Sequence, residues 1–295
     1  MKDLWKDRDW TPMLLGEISK PFDSDEYLYE IKFDGIRALV FASPNNVQII
    51  SRNNKNLTYL FPELANISKL VKRNTIFDGE IIAMENNLPS FSKLQERTHL
   101  KNKTTITKVM GLNPVIFVCF DILYDQENVL DLPIENRKQL LEKIKENDYF
   151  VKSKFIIKNG KKLFKNVQKI GLEGIVAKKM GSEYEINKRS NTWLKIKNFK
   201  EDEFIIGGYL ENKSKFVVSL VLGEYKNDKL YYVGKVTLGK KNALYKQIKE
   251  KAIIKKSPFV AYDNDSVNYI KPVLKCKVNY MERTKTNHLR QPFIK

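Results

Sequence analysis

The periodicity of this chain changes character at Lys197, and that change limits its fold more than any single residue does. Upstream, short alternating runs are interleaved with segments of helical spacing; downstream, nearly every run is strand-like. Residues 27–32, 37–41 and 47–52 read as consecutive strands of an antiparallel meander, with turns at Gly35 and Pro44-Asn45-Asn46. Residues 62–70 carry Leu64, Ile67 and Leu70 at helical spacing behind Pro62. A strand is expected over 75–84, a short helix over 90–97 and an apolar central strand over 115–123. Helices follow over 133–144 and over 161–170, the second stopped by Gly171, and then two more strands. Beyond Lys197, residues 203–210, 216–225, 230–236 and 274–281 alternate or run apolar, with one helix-like interruption over 243–251. The expectation is an α+β chain of two domains, 1–198 built on antiparallel sheets and 199–295 a five-stranded β-barrel, joined by a hinge at 198–202.

A chain of 295 residues with 42% hydrophobic content can bury a substantial core. Its formal charge of +18 calls for a polyanionic partner, and nucleic acid is the first candidate. The lysines are dispersed (Lys101, Lys108, Lys154, Lys165, Lys240, Lys255 among them), so the charge is not a short tail. Cys119 and Cys276 fall in different expected domains, which argues against a disulfide framework. With only His99 and His288 beside them, a structural zinc site lacks ligands. No apolar run reaches the roughly 18 residues of a membrane span, and the N-terminus has no signal core, so a cytoplasmic monomer without a membrane partner is expected.

Side chains with chemical potential recur in order. Lys32-Phe33-Asp34-Gly35-Ile36-Arg37 comes first, then Ser51-Arg52-Asn53, Phe77-Asp78-Gly79-Glu80 and Phe120-Asp121. Glu173-Gly174-Ile175-Val176-Ala177-Lys178 and Trp193-Leu194-Lys195-Ile196-Lys197 complete the series. A strand has a side-chain period of two, so Glu30 and Lys32 share one face, as do Trp193, Lys195 and Lys197. Lysine becomes a nucleophile only when desolvation or neighbouring cations favour its neutral amine, and Lys195 and Lys197 are candidates for that neighbourhood. Two ammonium groups on one face call for an anion between them, and a triphosphate would serve. Arg37 and Arg52 can fork onto ribose or phosphate oxygens; standing alone, either is more often a surface ion-pair partner. Asp34 and Gly35 read as a turn in which glycine permits positive φ and close approach of a phosphate. Asp78, Glu80 and Glu173 offer carboxylates, the hard oxygen donors that suit Mg²⁺, though Asp78 fits a cap or turn equally well. Phe120, taken alone, is a core residue or a stacking platform.

As an ordered set, these motifs closely resemble the covalent nucleotidyltransferases, and among them the ATP-dependent DNA ligases, nearest to the ligase modules of bacterial end-joining enzymes. The resemblance runs from about Tyr27 to about Gly239. It implies a nucleotidyltransferase domain followed by an oligonucleotide-binding (OB) fold. It also implies that Lys32 attacks the α-phosphate of ATP, and that AMP passes to the 5′-phosphate of nicked or broken duplex DNA before a 3′-hydroxyl displaces it. Glu30, Arg37, Arg52, Glu80, Phe120, Lys178, Lys195 and Lys197 then form the nucleotide environment, with Phe120 under adenine, Arg52 toward the 5′-phosphate side of the nick, and Glu80 and Glu173 at Mg²⁺. A Ku-like end-binding protein is an implied partner. Two cysteines cannot build the four-cysteine module of NAD-dependent ligases, so ATP is the expected nucleotide.

The chain stops at Leu289-Arg290-Gln291-Pro292-Phe293-Ile294-Lys295, which resembles the segment just before the basic Arg-x-Asp-Lys motif of many ligases. Three expectations stand: that another lysine or arginine, Arg290 or Lys295 among them, substitutes for that motif, that self-adenylation is burdened, or that the sequence breaks off before the motif is reached. Two other readings stand beside the leading one: an RNA ligase or GTP-using capping enzyme with the same lysine chemistry, and a catalytically idle nucleic-acid-binding module. The Trp193–Lys197 motif and the Gly207-Gly208-Tyr209 run favour the DNA ligase.

Overall fold

The computed structural model describes residues 3–18, 20–211 and 216–294. Its contacts separate two compact units, Met1–Asn198 and Phe199–Lys295. Among the described residues, no helix is long and apolar enough to cross a membrane.

The first unit runs β1 (Leu14–Glu17), β2 (Ser24–Lys32), β3 (Ile36–Ser43), β4 (Asn46–Ser51), a 3-10 helix (Pro62–Leu70), β5 (Thr75–Glu85) and β6 (Leu88–Pro89). It continues with α1 (Phe91–Thr98), α2 (Lys103–Leu112), β7 (Val115–Asp125), α3 (Ile134–Glu142), β8 (Phe150–Lys152), β9 (Phe155–Lys158), α4 (Gly160–Ile170), β10 (Gly174–Lys179) and β11 (Arg189–Lys197). These strands make two sheets, ordered β1-β11-β10-β2-β9 and β4-β3-β5-β7-β8. Both are mixed rather than purely antiparallel, because β1 runs parallel to β11 and β8 parallel to β7.

The expected meander does not form. β2 belongs to the first sheet, between β10 and β9, whereas the β3–β4 hairpin opens the second. Asp34-Gly35 is where the chain crosses over, and Gly35 does so without a left-handed backbone. A Cβ added at Gly35 would lie 2.2 Å from the Ile81 carbonyl oxygen, so glycine is needed for close approach to β5, not for positive φ. Residues 62–70 form a 3-10 rather than an α-helix, consistent with apolar residues spaced by three, of which Leu64 and Ile67 are buried. Helix α2 escaped the sequence reading because Thr104, Thr105, Ile106, Thr107 and Val109 are β-branched; Asn102 Oδ1 caps it, accepting from Thr104 N at 2.8 Å.

Tyr29, Ile175, Ala177 and Ile196 line the back of the first sheet, where Phe164 and Val167 of α4 cover them. Ile175, Ile196, Phe164 and Val167 each contribute about 1.5–3 kcal/mol on burial, and Ala177 less. Gly171 ends α4 at φ +74°, as its sequence position predicts. Leu28, Leu39, Leu123, Tyr184 and Trp193 form one cluster with members in both sheets, which brings the faces carrying the motif residues together.

The second unit runs β12 (Lys200–Glu211), β13 (Val217–Lys226), β14 (Lys229–Gly239), α5 (Ala243–Lys249), β15 (Phe259–Val260), β16 (Asn268–Tyr280), β17 (Glu282–Arg283) and β18 (Leu289–Arg290). A two-residue turn at Asn227-Asp228, with φ +48° and +59°, joins β13 to β14. The five-stranded sheet has the order β15-β14-β13-β12-β16. It is open, not the closed barrel expected: among the described residues β15 pairs with β14 and β16 with β12, and the two residues of β15 are too few to close the edge. The proposed hinge is largely ordered into other elements. Lys200 already lies in β12, and Asn198 is tied to the first unit through Glu173 O at 2.8 Å and Leu172 O at 3.1 Å.

Candidate nucleotidyl-transfer site

Strand β10 sets the register of the lysine face. Gly174 lies between Lys32 and Lys197, Val176 between Glu30 and Lys195, and Lys178 between Leu28 and Trp193. Cross-strand partners share a face, so the parity read from the sequence holds across three strands. Lys32 Nζ lies 2.7 Å from Glu173 Oε2, and the pair is largely shielded from solvent. Burial pushes the Glu173 carboxyl up, opposed by Lys32. Burial and then Lys195 push Lys197 down. Lys195 has its own counter-charge in Glu17 of β1, at 2.9 Å, a partner not visible in the sequence.

Glu30 is buried and ion-paired. Lys178 Nζ and Ser153 Oγ each lie 3.0 Å from its Oε2, and Lys138 pairs with Oε1. Lys178 is pushed down to about 8 by burial, against the pull of Glu30, and its ammonium stands 4.0 Å from the Trp193 ring centre and 4.7 Å from that of Phe120. Lys138 also donates to Phe120 O at 2.9 Å. Sequence reading missed Lys138, although a signal was present. Ile134, Arg137, Lys138 and Leu141 are the buried residues of α3, so two cations sit on its apolar stripe.

The second sheet supplies the remaining groups. Arg37 stands opposite Glu80 in the β3–β5 register and reaches diagonally to Asp78, with Nε 3.1 Å from Oδ1 and Nη2 2.7 Å from Oδ2. Asp78 is therefore neither a cap nor a turn residue; it lies inside β5 as the buried fork partner of Arg37. Burial works against the Arg37 charge, but Asp78 overrides it and raises the guanidinium above its ordinary value. Glu80 is pushed up to about 8 by burial, opposed by Lys32 and Arg37. The Phe120 ring, only partly buried, has Arg37 Cζ 5.5 Å from its centre. Arg52 is exposed; its backbone N–H donates to Arg37 O at 3.2 Å, but the structure does not bring its guanidinium into this network. Arg290 pairs with Glu282 at 3.1 Å in the second unit, and Lys295 lies outside the described residues.

Among the described residues, no three His, Cys, Asp or Glu side chains converge as a preformed metal site. The Glu173 carboxylate nonetheless adds to the upward push on Glu80, and both side chains are hard oxygen donors. Mg²⁺ is commonly held by one or two carboxylates plus substrate phosphates, so this donor set fits it.

A strand-end lysine paired with a carboxylate, on a face with further lysines and close to a partly exposed aromatic ring, is an arrangement suited to nucleotidyl transfer. Profiles of the ATP dependent DNA ligase domain and the ATP dependent DNA ligase C terminal region match residues 12–197 and 213–295. The chain belongs to the ATP-dependent DNA ligase family. It is 32% identical over 288 residues to the SPbeta prophage-derived DNA ligase-like protein LigB of Bacillus subtilis, covering 96% of each chain. It is 31% identical to the multifunctional non-homologous end joining protein LigD of Mycolicibacterium smegmatis, over 96% of this chain but only 38% of that protein. Among solved structures, mycobacterial DNA ligase D complexed with ATP and MES superposes with a TM-score of 0.60 at 26% identity, covering 97% of this chain and 94% of that one.

Proposed function

We propose that this chain seals 5′-phosphate/3′-hydroxyl nicks in duplex DNA through a covalent Lys32–AMP intermediate. One observation carries the reading: Lys32 Nζ sits 2.7 Å from Glu173 on the same strand faces as Lys195 and Lys197, beside the face that carries Arg37, Glu80 and Phe120. Glu173, desolvated and in contact with the ammonium, is placed to take its proton. The freed amine forms an N–P bond to the α-phosphorus of ATP as pyrophosphate leaves. Lys195 and Lys197 neutralise the phosphates, and Phe120 stacks on the base while Glu30 and Lys178 line its edge. Arg37 holds the ribose side, and exposed Arg52 serves the 5′-phosphate of the nick. Glu80 and Glu173 would hold Mg²⁺, which supplies neutralisation of the polyphosphate when bound. In the two later steps AMP moves to the 5′-phosphate and is displaced by the 3′-hydroxyl. The second unit acts as an OB-type module, built on its open five-stranded sheet, that grips the duplex backbone. The end-joining relatives support a role at DNA breaks, with a Ku-like end-binding protein as partner.

The test is incubation with radiolabelled ATP, GTP or NAD, then addition of a nicked duplex. Label retained on protein from ATP alone, and chased into sealed DNA, is the expected result. Labelling by GTP would favour a capping-type enzyme, sealing confined to nicked RNA an RNA ligase, and no label at all an idle binding module.

A further inference from the structure

We propose that Tyr184 is a positioning residue for the nucleotide-binding orientation of Arg37, an inference that rests on the reading of Arg37 as a nucleotide contact. Arg37 is a long side chain at the start of β3, and its fork with Asp78 fixes Nε and Nη2 but leaves the pair free to tilt as a unit. The Tyr184 hydroxyl removes that freedom. It donates to Asp78 Oδ2 at 2.5 Å and accepts from Arg37 Nη2 at 3.1 Å, so it touches both members of the pair. The hydroxyl also accepts from Met13 N at 3.2 Å.

The ring that carries the hydroxyl is itself fixed. It packs edge-on against Trp193 of β11, centres 5.7 Å apart, and Arg137 Cζ lies 5.9 Å from its centre. One hydroxyl thus links a residue held by the first sheet to an ion pair in the second. Burial pushes the phenol well above its ordinary value, so it remains a hydrogen-bond donor at working pH. Among the described contacts, nothing accepts from Arg37 Nη1, and the guanidinium stands over Phe120, the platform on which a base would stack. Locking Nε and Nη2 therefore determines where the remaining donors point, and a donor fixed before binding loses less entropy when it meets its ligand.

Tyr184→Phe removes the hydroxyl and keeps the ring. The measurement is single-turnover self-adenylation across ATP concentrations for the parent, Tyr184→Phe, Arg37→Met and the double variant, with thermal midpoints for each. Hydrogen bonds to charged groups contribute about 1.5–3 kcal/mol. Tyr184→Phe should therefore raise the ATP concentration for half-maximal rate by roughly ten- to a hundredfold, leaving the limiting rate within a few-fold. That shift should largely vanish in the Arg37→Met background, because the hydroxyl would then have no guanidinium to orient. If Arg37→Met itself leaves half-saturation unchanged, the assignment of Arg37 fails. If Arg37→Met shifts it but Tyr184→Phe does not, or shifts it equally in both backgrounds, Tyr184 is a packing residue and the positioning role is overturned.

Discussion

Both units carry exposed ion pairs, but among the described residues the first unit alone also buries some. The first unit holds buried pairs: Arg97–Glu63 and Arg137–Asp121 have side chains at most 1% exposed, and Arg37–Asp78 and Glu30 with its two lysines are at most 14% exposed. In the second unit each described pair keeps at least one partner 37% exposed or more, as in Lys240–Glu211, Lys275–Glu203, Arg283–Glu224 and Arg290–Glu282. Burial makes a charge pair rigid and costly to break, whereas exposure leaves it weak, mobile and sensitive to salt. The first arrangement suits groups that must meet a reacting phosphorus in one geometry, and the second suits a surface that exchanges counterions with a polyanion.

The comparison can be sharpened by experiment, starting with the largest effect. Lys32→Ala should abolish covalent attachment of AMP while DNA affinity, measured by filter binding, stays within about twofold, since no other side chain can supply the bonded amine. An AMP adduct surviving in that variant would remove Lys32 from the mechanism. Next, Arg97→Met should destabilise the first unit by roughly 3–5 kcal/mol in urea unfolding, leaving Glu63 buried without its partner. Arg290→Met should cost the second unit less than about 1 kcal/mol, because its partner Glu282 is half exposed. Equal losses would erase the contrast between the units.

Smaller effects follow from titration and from salt. Lys178 titrates near 8 in the folded chain, against an ordinary value of 10.5, so between those limits the unfolded chain holds more protons. Its contribution to stability therefore rises as pH increases from about 8 to 10.5, with a slope of at most about 1.4 kcal/mol per pH unit. In Lys178→Met that part of the slope should disappear, and an unchanged pH profile would show that Lys178 is not desolvated. Last, log affinity for duplex DNA should fall steeply with log salt, and replacing exposed Lys251, Lys255 or Lys256 by Glu should reduce the slope by about 1 each if that lysine meets a phosphate. A flat response would detach the positive charge of the second unit from DNA.

What the sequence disclosed follows from the range of the physics involved. Strand parity is local, so the common face of Glu30 and Lys32, and that of Trp193, Lys195 and Lys197, could be read directly. Which strands lie beside one another is not local, and the β2–β3 meander failed for that reason. The partners that fix the site come from far along the chain: Glu17 for Lys195, Lys138 for Glu30, Tyr184 for Asp78. No periodicity links such positions. Helix α2 was hidden by β-branched composition, with the Asn102 cap its only clear signal. Closure of the second sheet depended on β15, whose two residues give no pattern to count.

Gly35 has a consequence for how functional importance is scored. Its hydrogen atom stands where any larger substituent would strike the Ile81 carbonyl, so Ala at that position would separate β3 from β5 and displace both Arg37 and Glu80. A saturation library ranked by colony survival would then give Gly35 the same intolerance as Lys32, though what it supplies is room for two strands to meet. Counting soluble protein in each clone separates the two kinds of essential position: the lysine variants accumulate as inert enzyme, and the glycine variants are lost to proteolysis.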